Sequence, residues 1–332
     1  MLICIDRGEY NIMKTMVIGC GRWGTFVAWY LNYVGHEVTL YGRSGSKNYQ
    51  RLFETRKNQY LELEPDIKLT NSLESVSDVD IIFISVNAQG LEGLCSELNI
   101  NKEKIAGKTI VLCMKGIEVH SGRRLSEIVK ESIDAEVRIA VWLGPGHVQE
   151  YVKRLPNCMV IDSEDAKVKE LLVQELSSDI IRFYYGTDMK GNEIGAATKN
   201  VIGIAAGMLD GMGYSSLKGA LMARGTREIS RLIEIMGGDG VSAYGLCHLG
   251  DYEATVFSKY SHNRLYGENF VLGITSEALA EGVETVKAVH LLKSRYDIEL
   301  PICEAVYNIL YEEAEPQEML MELFERSLKN EF

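Results

Sequence analysis

The chain has 332 residues, of which 46% are hydrophobic and 25% charged, and its formal net charge is −12. This length suggests two domains, and the composition is ordinary for a globular protein in water. The acidic balance argues against nucleic acid or an anionic membrane as the main partner, although a local cationic pocket can still bind a small anion. The sequence holds no apolar run of transmembrane length, so we expect no membrane span.

Seven cysteines are scattered along the chain without a CxxC pair. An odd, scattered set predicts free and mostly buried thiols in a reducing compartment, and the N-terminus lacks the long apolar core of a signal peptide. We therefore expect a cytoplasmic protein. The six histidines form no HExxH or HxH cluster, so no metal site is predicted. Residues 1–12 precede a second methionine, Met13, and are interpreted as an upstream start or a short extra strand.

The segment 14–41 has the pattern strand, glycine-rich turn, helix, strand. Residues 14–18 and 36–41 are predicted strands, residues 25–34 are a predicted helix, and residues 19–24, GCGRWG, fit GxGxxG. In this fingerprint Gly19 makes the tight turn, Gly21 lets the backbone approach a pyrophosphate, and Gly24 packs helix on strand. The N-terminus of the helix then faces the phosphates. The pattern predicts dinucleotide binding.

The second strand ends without the acidic residue that usually binds the ribose hydroxyls. Arg43 stands there instead, with Lys47 close by. A guanidinium suits a 2′-phosphate because it pairs with phosphate through two hydrogen bonds. We therefore expect NADP(H) as the preferred cofactor, with NAD(H) as the alternative. The competing interpretation is that Arg43 is only a solvated surface residue.

Strand and helix patterns alternate through the rest of the first half. Predicted strands lie at residues 78–86, 109–114, 138–143, 158–161 and 180–184, with helices such as 121–132 and 164–176 between them. This alternation predicts an α/β fold with a Rossmann-type, doubly wound parallel sheet. Ligands of such sheets bind beyond the carboxyl ends of the strands, where Lys115 and the turn at residues 144–147 fall.

From about residue 188 the strand pattern stops. Helical patterns cover residues 191–209, 216–236, 241–246, 276–294, 301–313 and 316–329. We place the domain boundary near Gly186, with a dinucleotide-binding domain at residues 1–186 and an all-helical domain at residues 187–332. The helical domain is interpreted as the part that binds substrate.

The segment 191–211 predicts a helix with an apolar stripe and an opposite side of small residues, and Lys199 is its only charge between Glu193 and Asp210. A helix without a charged face is expected to be buried. A buried, lone ammonium is costly unless it is paired or used, so Lys199 is either functional or a lysine that snorkels out past small neighbours. We expect the small-residue side to admit cofactor and substrate.

A nicotinamide cofactor next to a lysine suggests carbonyl–alcohol redox chemistry. Lys199 would protonate the developing alkoxide or stabilise its charge. Burial beside a second cation, Lys115, would lower its pKa toward the working range. Asp251 is a candidate for orienting the ammonium, and Asn200 for hydrogen-bonding the substrate.

A polar loop is predicted at residues 258–267, where it interrupts the helical patterns. Its residues Asn263 and Arg264 are candidate donors for an anionic end of the substrate. The alternative is that this segment is only a solvated connection.

Short motifs follow one another in a specific order along the chain. They are VIGCGRWGT at the fingerprint, MKGIE at 114–118, GP at 144–145, ATKNVI at 197–202, GMLDG at 207–211, ARG at 223–225, LGD at 249–251, NR at 263–264 and AEG at 280–282. From about Met13 to Lys329 the chain thereby resembles the NAD(P)-dependent sn-glycerol-3-phosphate dehydrogenases of the soluble bacterial type. So many ordered matches are far more specific than GxGxxG alone.

The resemblance implies the reversible reduction of dihydroxyacetone phosphate, a triose phosphate, to sn-glycerol 3-phosphate, which feeds phospholipid synthesis. It also implies a homodimer that forms through the helical half. It implies Lys199 as the proton-transfer residue, and we take Lys115 and Asp251 as further catalytic residues. The expected cofactor-binding residues are Gly19, Gly21, Arg22, Trp23, Gly24, Arg43, Lys115, Val148 and Glu281. The expected substrate-binding residues are Lys115, Gly144, Lys199, Asn200, Asp251, Ser261, His262 and Asn263.

Two positions depart from the family pattern. Gly146 stands where the family has a threonine, and His262 where it has an arginine. Both changes remove expected substrate contacts. If His147 and His262 compensate, phosphate affinity becomes pH-sensitive near neutral pH. The alternatives are a related dehydrogenase for another phosphorylated or acidic hydroxy compound, and a non-catalytic nucleotide-binding regulator.

Overall fold

The structure of the chain is a computed structural model that describes residues 12–275 and 280–325. The extra strand suggested for residues 1–12 falls almost wholly outside the described residues. So do the start of the helix predicted at 276–294 and the end of the helix predicted at 316–329.

The described residues form one eight-stranded sheet surrounded and followed by helices. The strands are β1 (Lys14–Ile18), β2 (Glu37–Tyr41), β3 (Lys68–Thr70), β4 (Ile81–Ile84), β5 (Thr109–Leu112), β6 (Arg138–Leu143), β7 (Asn157–Ser163) and β8 (Ile181–Tyr185). The α-helices are α1 (Arg22–Tyr33), α2 (Lys47–Thr55), α3 (Leu91–Asn99), α4 (Lys102–Ile105), α5 (Leu125–Ser132), α6 (Val148–Tyr151), α7 (Ala166–Leu176), α8 (Met189–Gly211), α9 (Lys218–Ile235), α10 (His262–Val271), α11 (Glu281–Tyr296), α12 (Pro301–Tyr311) and α13 (Pro316–Glu325).

The strand order is β3-β2-β1-β4-β5-β6-β7-β8. Helices α1 and α7 bury apolar side chains on one face of the sheet, and α3 and α5 do so on the other. The first half is therefore a doubly wound α/β unit of the Rossmann type, as predicted.

The prediction of a wholly parallel sheet is wrong for the last two strands. The pairs from β3 to β6 are parallel, but β7 runs antiparallel to β6, and β8 follows β7 in parallel. A parallel neighbour needs a crossover over one face of the sheet, usually through a helix. The connection from β6 to β7 holds only the four-residue α6, and the chain turns back instead.

The fingerprint glycines have three different environments. Gly19 has φ +118°, a conformation that favours glycine, and a Cβ there would lie 2.1 Å from the carbonyl oxygen of Ser85. A Cβ on Gly24 would lie 1.9 Å from the carbonyl oxygen of Gly19, so α1 packs directly on the turn after β1. Gly21 has nothing within 4 Å of its Cβ position and immediately precedes α1. The backbone of the turn is therefore tightly packed at Gly19 and Gly24, whereas the space beside Gly21 is free of protein atoms.

Helix α8 links the sheet to the helical half. Every residue from 191 to 209 is buried, which confirms the prediction of a buried helix. Ala196 packs in the core of the sheet, and Ala197 and Val201 pack in the core of the helical half. The helix begins at Met189, just after the boundary that we expect near Gly186. The division into domains at that residue stays a prediction.

Helix α10 packs against the small-residue side of α8 at Gly207, so this part of the side is not open to a ligand as the sequence suggested, whereas Lys199 lines the cavity. A Cβ on Gly207 would lie 1.8 Å from the carbonyl oxygen of Arg264, and a Cβ on Gly267 would lie 2.0 Å from that of Ile204. A Cβ on Gly203 would instead lie 2.7 Å from the Thr255 side-chain methyl group, outside α10. Gly207 and Gly267 therefore let the backbones of α8 and α10 come into direct contact, which fixes the position of α10 against α8.

The polar segment 258–267 is also not a loop throughout. Helix α10 starts at His262, and the Ser261 hydroxyl accepts a hydrogen bond from the Arg264 backbone N–H at 3.2 Å. This is N-capping, for which serine is among the preferred residues. Arg264 is not free for substrate, because its guanidinium pairs with Asp210 and Glu268, each at 2.9 Å.

The described part of the chain has six cysteines, all free thiols, and all but Cys158 are buried. Within residues 12–275 and 280–325, no helix is long and apolar enough to cross a membrane. The same ranges contain no group of three or more histidine, cysteine or acidic side chains that could hold a metal ion.

Candidate active site

A cavity of about 430 Å³ lies between the carboxyl ends of the central strands and the helical half. Most of the predicted site residues line it, and these are Gly21, Arg22, Trp23, Lys115, Val148, Lys199, Asn200, Asp251, Ser261, His262, Asn263 and Glu281. Sequence reasoning missed other lining residues, among them Ser85, Val86, Asn87, Thr255 and Tyr260. The cavity reaches from the open glycine of the fingerprint to the buried lysine of α8.

Two lysines and one aspartate form the polar centre of the cavity. Lys199 Nζ lies 3.1 Å from Asp251 Oδ2, and Lys115 Nζ donates to the same oxygen at 2.6 Å. Lys115 also donates to the carbonyl oxygen of Gly144 at 2.9 Å, so Gly144 takes part through its backbone. The structure thus brings together the three predicted catalytic residues, which are about 50 to more than 130 positions apart in the chain.

The Lys199 side chain is only 7% exposed, so the snorkelling alternative is wrong. Its Nζ donates to Thr255 Oγ1 at 2.5 Å. Thr255 lies in a π-helical turn, Glu253–Phe257, and such irregular turns are frequent at functional sites. Nothing in the sequence distinguishes this threonine from others, because its importance depends on a contact across 56 positions.

Burial lowers the pKa of Lys199 to about 8, and the positive charge of Lys115 acts in the same direction. The attraction of Asp251 opposes this shift without overcoming it. A lysine with this pKa exchanges its proton close to neutral pH, as a general acid or base must.

Two asparagines are held by the start of helix α11. Asn200 Nδ2 donates to Glu281 Oε2 at 3.2 Å, and the Gly282 backbone N–H donates to Asn263 Oδ1 at 2.9 Å. Burial raises the pKa of Glu281, while Lys115 and Lys199 act to lower it. The cavity wall is therefore fixed by contacts between α8, α10 and α11.

The N-terminus of α10 borders the cavity through Ser261, His262 and Asn263. The first backbone N–H groups of a helix lack partners inside the helix, and the helix dipole adds partial positive charge there. Among the charged residues lining the cavity, three are cations (Arg22, Lys115 and Lys199) and two are carboxylates (Asp251 and Glu281). This region is suited to an anion although the whole chain is acidic.

Arg22 connects the fingerprint to the turn after β6. Its Nη2 lies 3.3 Å from His147 Nδ1 and donates to Gln149 Oε1 at 2.8 Å. Burial lowers the pKa of His147 to about 4, and the adjacent Arg22 guanidinium adds to this shift. His147 is therefore neutral near pH 7, which argues against a pH-sensitive contribution of His147 to phosphate affinity.

Gly146 is a glycine for a local reason. Its φ is +121°, which a β-branched residue such as threonine adopts only with strain. A Cβ there would also lie 2.3 Å from the hydroxyl oxygen of Tyr151. That hydroxyl donates to the carbonyl oxygen of Pro145 at 2.6 Å. Where the family has a threonine, this chain thus has Gly146, and the Tyr151 side chain occupies the space that a threonine side chain would need.

Arg43 lies outside the cavity, just beyond the end of β2. Its guanidinium is paired with Glu97 on α3 at 2.7 Å, and its side chain is 66% exposed. Such an exposed pair contributes little to stability, so the arginine can exchange Glu97 for another anion at small cost. Gly19 and Gly24 shape the turn as described above and do not line the cavity. The roles assigned to individual residues stay predictions.

The first half is a Rossmann-type sheet with an open fingerprint glycine, and one cavity extends from that glycine to a buried lysine of lowered pKa. This combination is typical of the class of nicotinamide-dependent dehydrogenases. Family models agree with this class. The N-terminal model of NAD-dependent glycerol-3-phosphate dehydrogenase matches residues 14–169, and the C-terminal model matches residues 188–321. The chain belongs to the NAD-dependent glycerol-3-phosphate dehydrogenase family and is an oxidoreductase.

Curated relatives extend over nearly the whole chain. The glycerol-3-phosphate dehydrogenase (NAD(P)+) of Thermotoga sp. (strain RQ2) is 35% identical over 329 residues, which is 96% of this chain and 99% of the relative. The enzyme of the same name from Thermoanaerobacter sp. (strain X514) is 33% identical over 333 residues, with the same coverage. The crystal structure of glycerol-3-phosphate dehydrogenase from Coxiella burnetii superimposes with a TM-score of 0.88 at 28% identity, covering 95% of this chain and 99% of that one.

Proposed function

We propose that the chain catalyses the reversible NAD(P)H-dependent reduction of dihydroxyacetone phosphate to sn-glycerol 3-phosphate. The observation that carries this proposal is the buried ammonium of Lys199, paired with Asp251 in a cavity that begins at the open fingerprint glycine. Membership of the family and near-complete coverage of relatives with that name support the same reaction.

The turn after β1 fits a dinucleotide, because the space at Gly21 and the N-terminus of α1 would accept a pyrophosphate. When bound, the nicotinamide nucleotide supplies the hydride that reduces the ketone carbon. Lys199 then donates its proton to the alkoxide oxygen, and its neutral amine takes the proton back in the reverse direction. Asp251 holds the ammonium in place, and Lys115 adds positive charge near the developing oxyanion.

The phosphate of the substrate is assigned to the N-terminus of α10 and the cations of the cavity. Ser261, His262 and Asn263 border this end of the cavity, and Lys115 lines the same cavity. A helix N-terminus in a cavity that also holds lysines is suited to a phosphate dianion.

For the cofactor we propose a preference for NADP(H) over NAD(H). Arg43 supports it, since the side chain stands just beyond the end of β2 and its ion pair with Glu97 is exposed to solvent. We further propose a cytoplasmic homodimer, formed through the helical half, that supplies glycerol 3-phosphate for phospholipid synthesis. These assignments rest on the resemblance to the bacterial enzymes.

The experiment is an assay of the purified chain with NADPH and dihydroxyacetone phosphate between about pH 6 and 8. Oxidation of NADPH that depends on the triose phosphate, with sn-glycerol 3-phosphate as product, is the expected result. No oxidation across that range would exclude this substrate and favour a related phosphorylated or acidic ketone. A chain that binds NADPH and reduces no ketone of this kind would be the non-catalytic regulator.

A further inference from the structure

His147 lines the cavity, and of its two ring nitrogens one has a polar neighbour and the other has none. The residue is only 9% exposed, lines the cavity and packs edge-to-face on Tyr260, with ring centroids 5.6 Å apart. Its Nδ1 lies 3.3 Å from Arg22 Nη2. Its Nε2 is buried and has no hydrogen-bond partner among the described residues.

Arg22 decides which nitrogen carries the proton. A guanidinium only donates hydrogen bonds, so His147 Nδ1 must accept. A neutral imidazole with a bare Nδ1 carries its proton on Nε2. Arg22 is itself held by Gln149 Oε1 at 2.8 Å and lies over the Tyr60 ring, so the arrangement is fixed from outside the histidine.

Burial, assisted by the surrounding cations, keeps this histidine neutral. Burial is the largest influence on its pKa, and the cations Arg22, Lys199 and Lys115 act in the same direction. Asp251 is the carboxylate that acts against them, and the resulting pKa is about 4. Between pH 6 and 8 the group is therefore a neutral N–H donor and not an imidazolium.

We propose that the Nε2–H group of His147 binds an oxygen of the substrate's anionic end, in place of the side-chain hydroxyl that Gly146 lacks. A buried N–H without an acceptor is costly, and a small movement of the ring toward the cavity that it lines would let a ligand oxygen relieve that cost. A threonine hydroxyl and this imidazole N–H are both neutral donors, and they belong to adjacent positions of the same turn. The proposal rests on the proposed function, because it assigns a binding group to that substrate.

The kinetic test compares His147→Phe, which keeps an aromatic ring without a donor, with His147→Gln, which keeps a neutral donor. We expect His147→Phe to raise the KM for dihydroxyacetone phosphate about 10-fold or more, with kcat and the KM for NADPH changed less than about twofold. His147→Gln should recover part of the loss. His290→Phe is the matched control, because His290 also has an unpartnered nitrogen but stacks on Tyr307 away from the cavity.

An unchanged KM for the triose phosphate in His147→Phe would overturn the proposal and leave the proposed function intact. A rise confined to the KM for NADPH would also overturn it, since the donor would then serve the cofactor. If the native chain does not reduce dihydroxyacetone phosphate, binding of inorganic phosphate is measured by calorimetry. Weaker binding by His147→Phe than by the native chain supports the proposal, and equal binding refutes it.

The tautomer is measurable without any substrate. In ¹⁵N-histidine NMR spectra of the whole protein, with the His147 signals identified by their loss in His147→Phe, Nε2 should be protonated and Nδ1 bare throughout pH 6–8. Arg22→Met removes the donor that selects this state, so the signals should move toward the other tautomer. A protonated Nδ1 in the native chain, or a titration within this pH range, would contradict the proposal whatever the enzymatic activity is.

Discussion

Lys199 and Asp251 form a buried ion pair in which Nζ lies 3.1 Å from Oδ2. The same oxygen is 2.6 Å from Lys115 Nζ, so one carboxylate serves two ammonium groups. Asp251 therefore neutralises Lys199 only in part, and burial lowers the pKa of that lysine to about 8 in spite of it. The pair both holds the ammonium in place and leaves its proton transferable.

The pH dependence of the two directions should be opposite. Reduction needs the ammonium form of Lys199, so kcat/KM for dihydroxyacetone phosphate should fall as the pH rises through about 8. Oxidation of glycerol 3-phosphate needs the free amine and should rise over the same range. Initial rates in both directions between about pH 6.5 and 9.5 measure this. Two profiles that change in the same sense across pH 8 would argue against Lys199 as the titrating group.

Removing the lysine should separate chemistry from cofactor binding. We expect Lys199→Ala to lower kcat about 10²- to 10⁴-fold, because a positioned general acid typically contributes this much. NADPH binding, measured by fluorescence titration, should stay within about twofold of the native value, since Lys199 is assigned to the reacting oxygen. Lys190→Ala on the same helix is the control, as its Nζ makes a long hydrogen bond of 3.5 Å to the Gly237 carbonyl oxygen and does not line the cavity. Near-native turnover by Lys199→Ala would remove the lysine from the mechanism.

Arg43→Ala should weaken NADPH more than NADH. The extra 2′-phosphate of NADPH is the group that a guanidinium pairs with at this position. We expect a loss of about 10-fold or more in Kd for NADPH and less than about threefold for NADH, from titrations of both cofactors. Glu97→Gln frees the arginine from its partner at 2.7 Å and should tighten NADPH slightly. Equal losses for both cofactors in Arg43→Ala would contradict the assignment.

Gly207→Ala should destabilise the protein and displace helix α10. The new Cβ would lie 1.8 Å from the Arg264 carbonyl oxygen, and backbone cannot move away as a flexible side chain does. We expect a loss of about 1–3 kcal/mol or more in the free energy of unfolding, together with a raised KM for the triose phosphate. Gly219→Ala in α9 is the control, because its Cβ has nothing within 4 Å. Denaturant unfolding of both variants provides the comparison, and equal stability would refute the close packing.

Much of the fold follows from local sequence. The three fingerprint glycines occupy the environments that their spacing predicts, and α8 is buried as its lack of a charged face requires. The direction of the strands could not be predicted from the sequence, because an apolar run has the same pattern in β6 and in the antiparallel β7. The three-residue β3 is too short to give a period.

The candidate site was predictable where a residue's chemistry is unusual for its surroundings, and not where it depends on a distant partner. Lys199 is the one charged residue within a stretch of small and apolar residues, so the sequence alone predicted a functional role for it. Thr255 is an ordinary threonine until its contact with Lys199 is known. The tautomer of His147 depends on Arg22, 125 positions away, and its neutrality depends mainly on burial, so neither could be predicted from the local sequence.

The contact between Gly146 and Tyr151 also limits how this turn can change. A single Gly146→Thr replacement would place its Cβ against the Tyr151 hydroxyl and force threonine into a strained φ. A smaller residue at 151 would have to come first, and it would empty a position that stacks on Phe26. Neither step is favourable without the other, so the two positions are expected to be epistatic. A threonine at 146 is accessible only to a chain whose neighbouring aromatic packing has already changed.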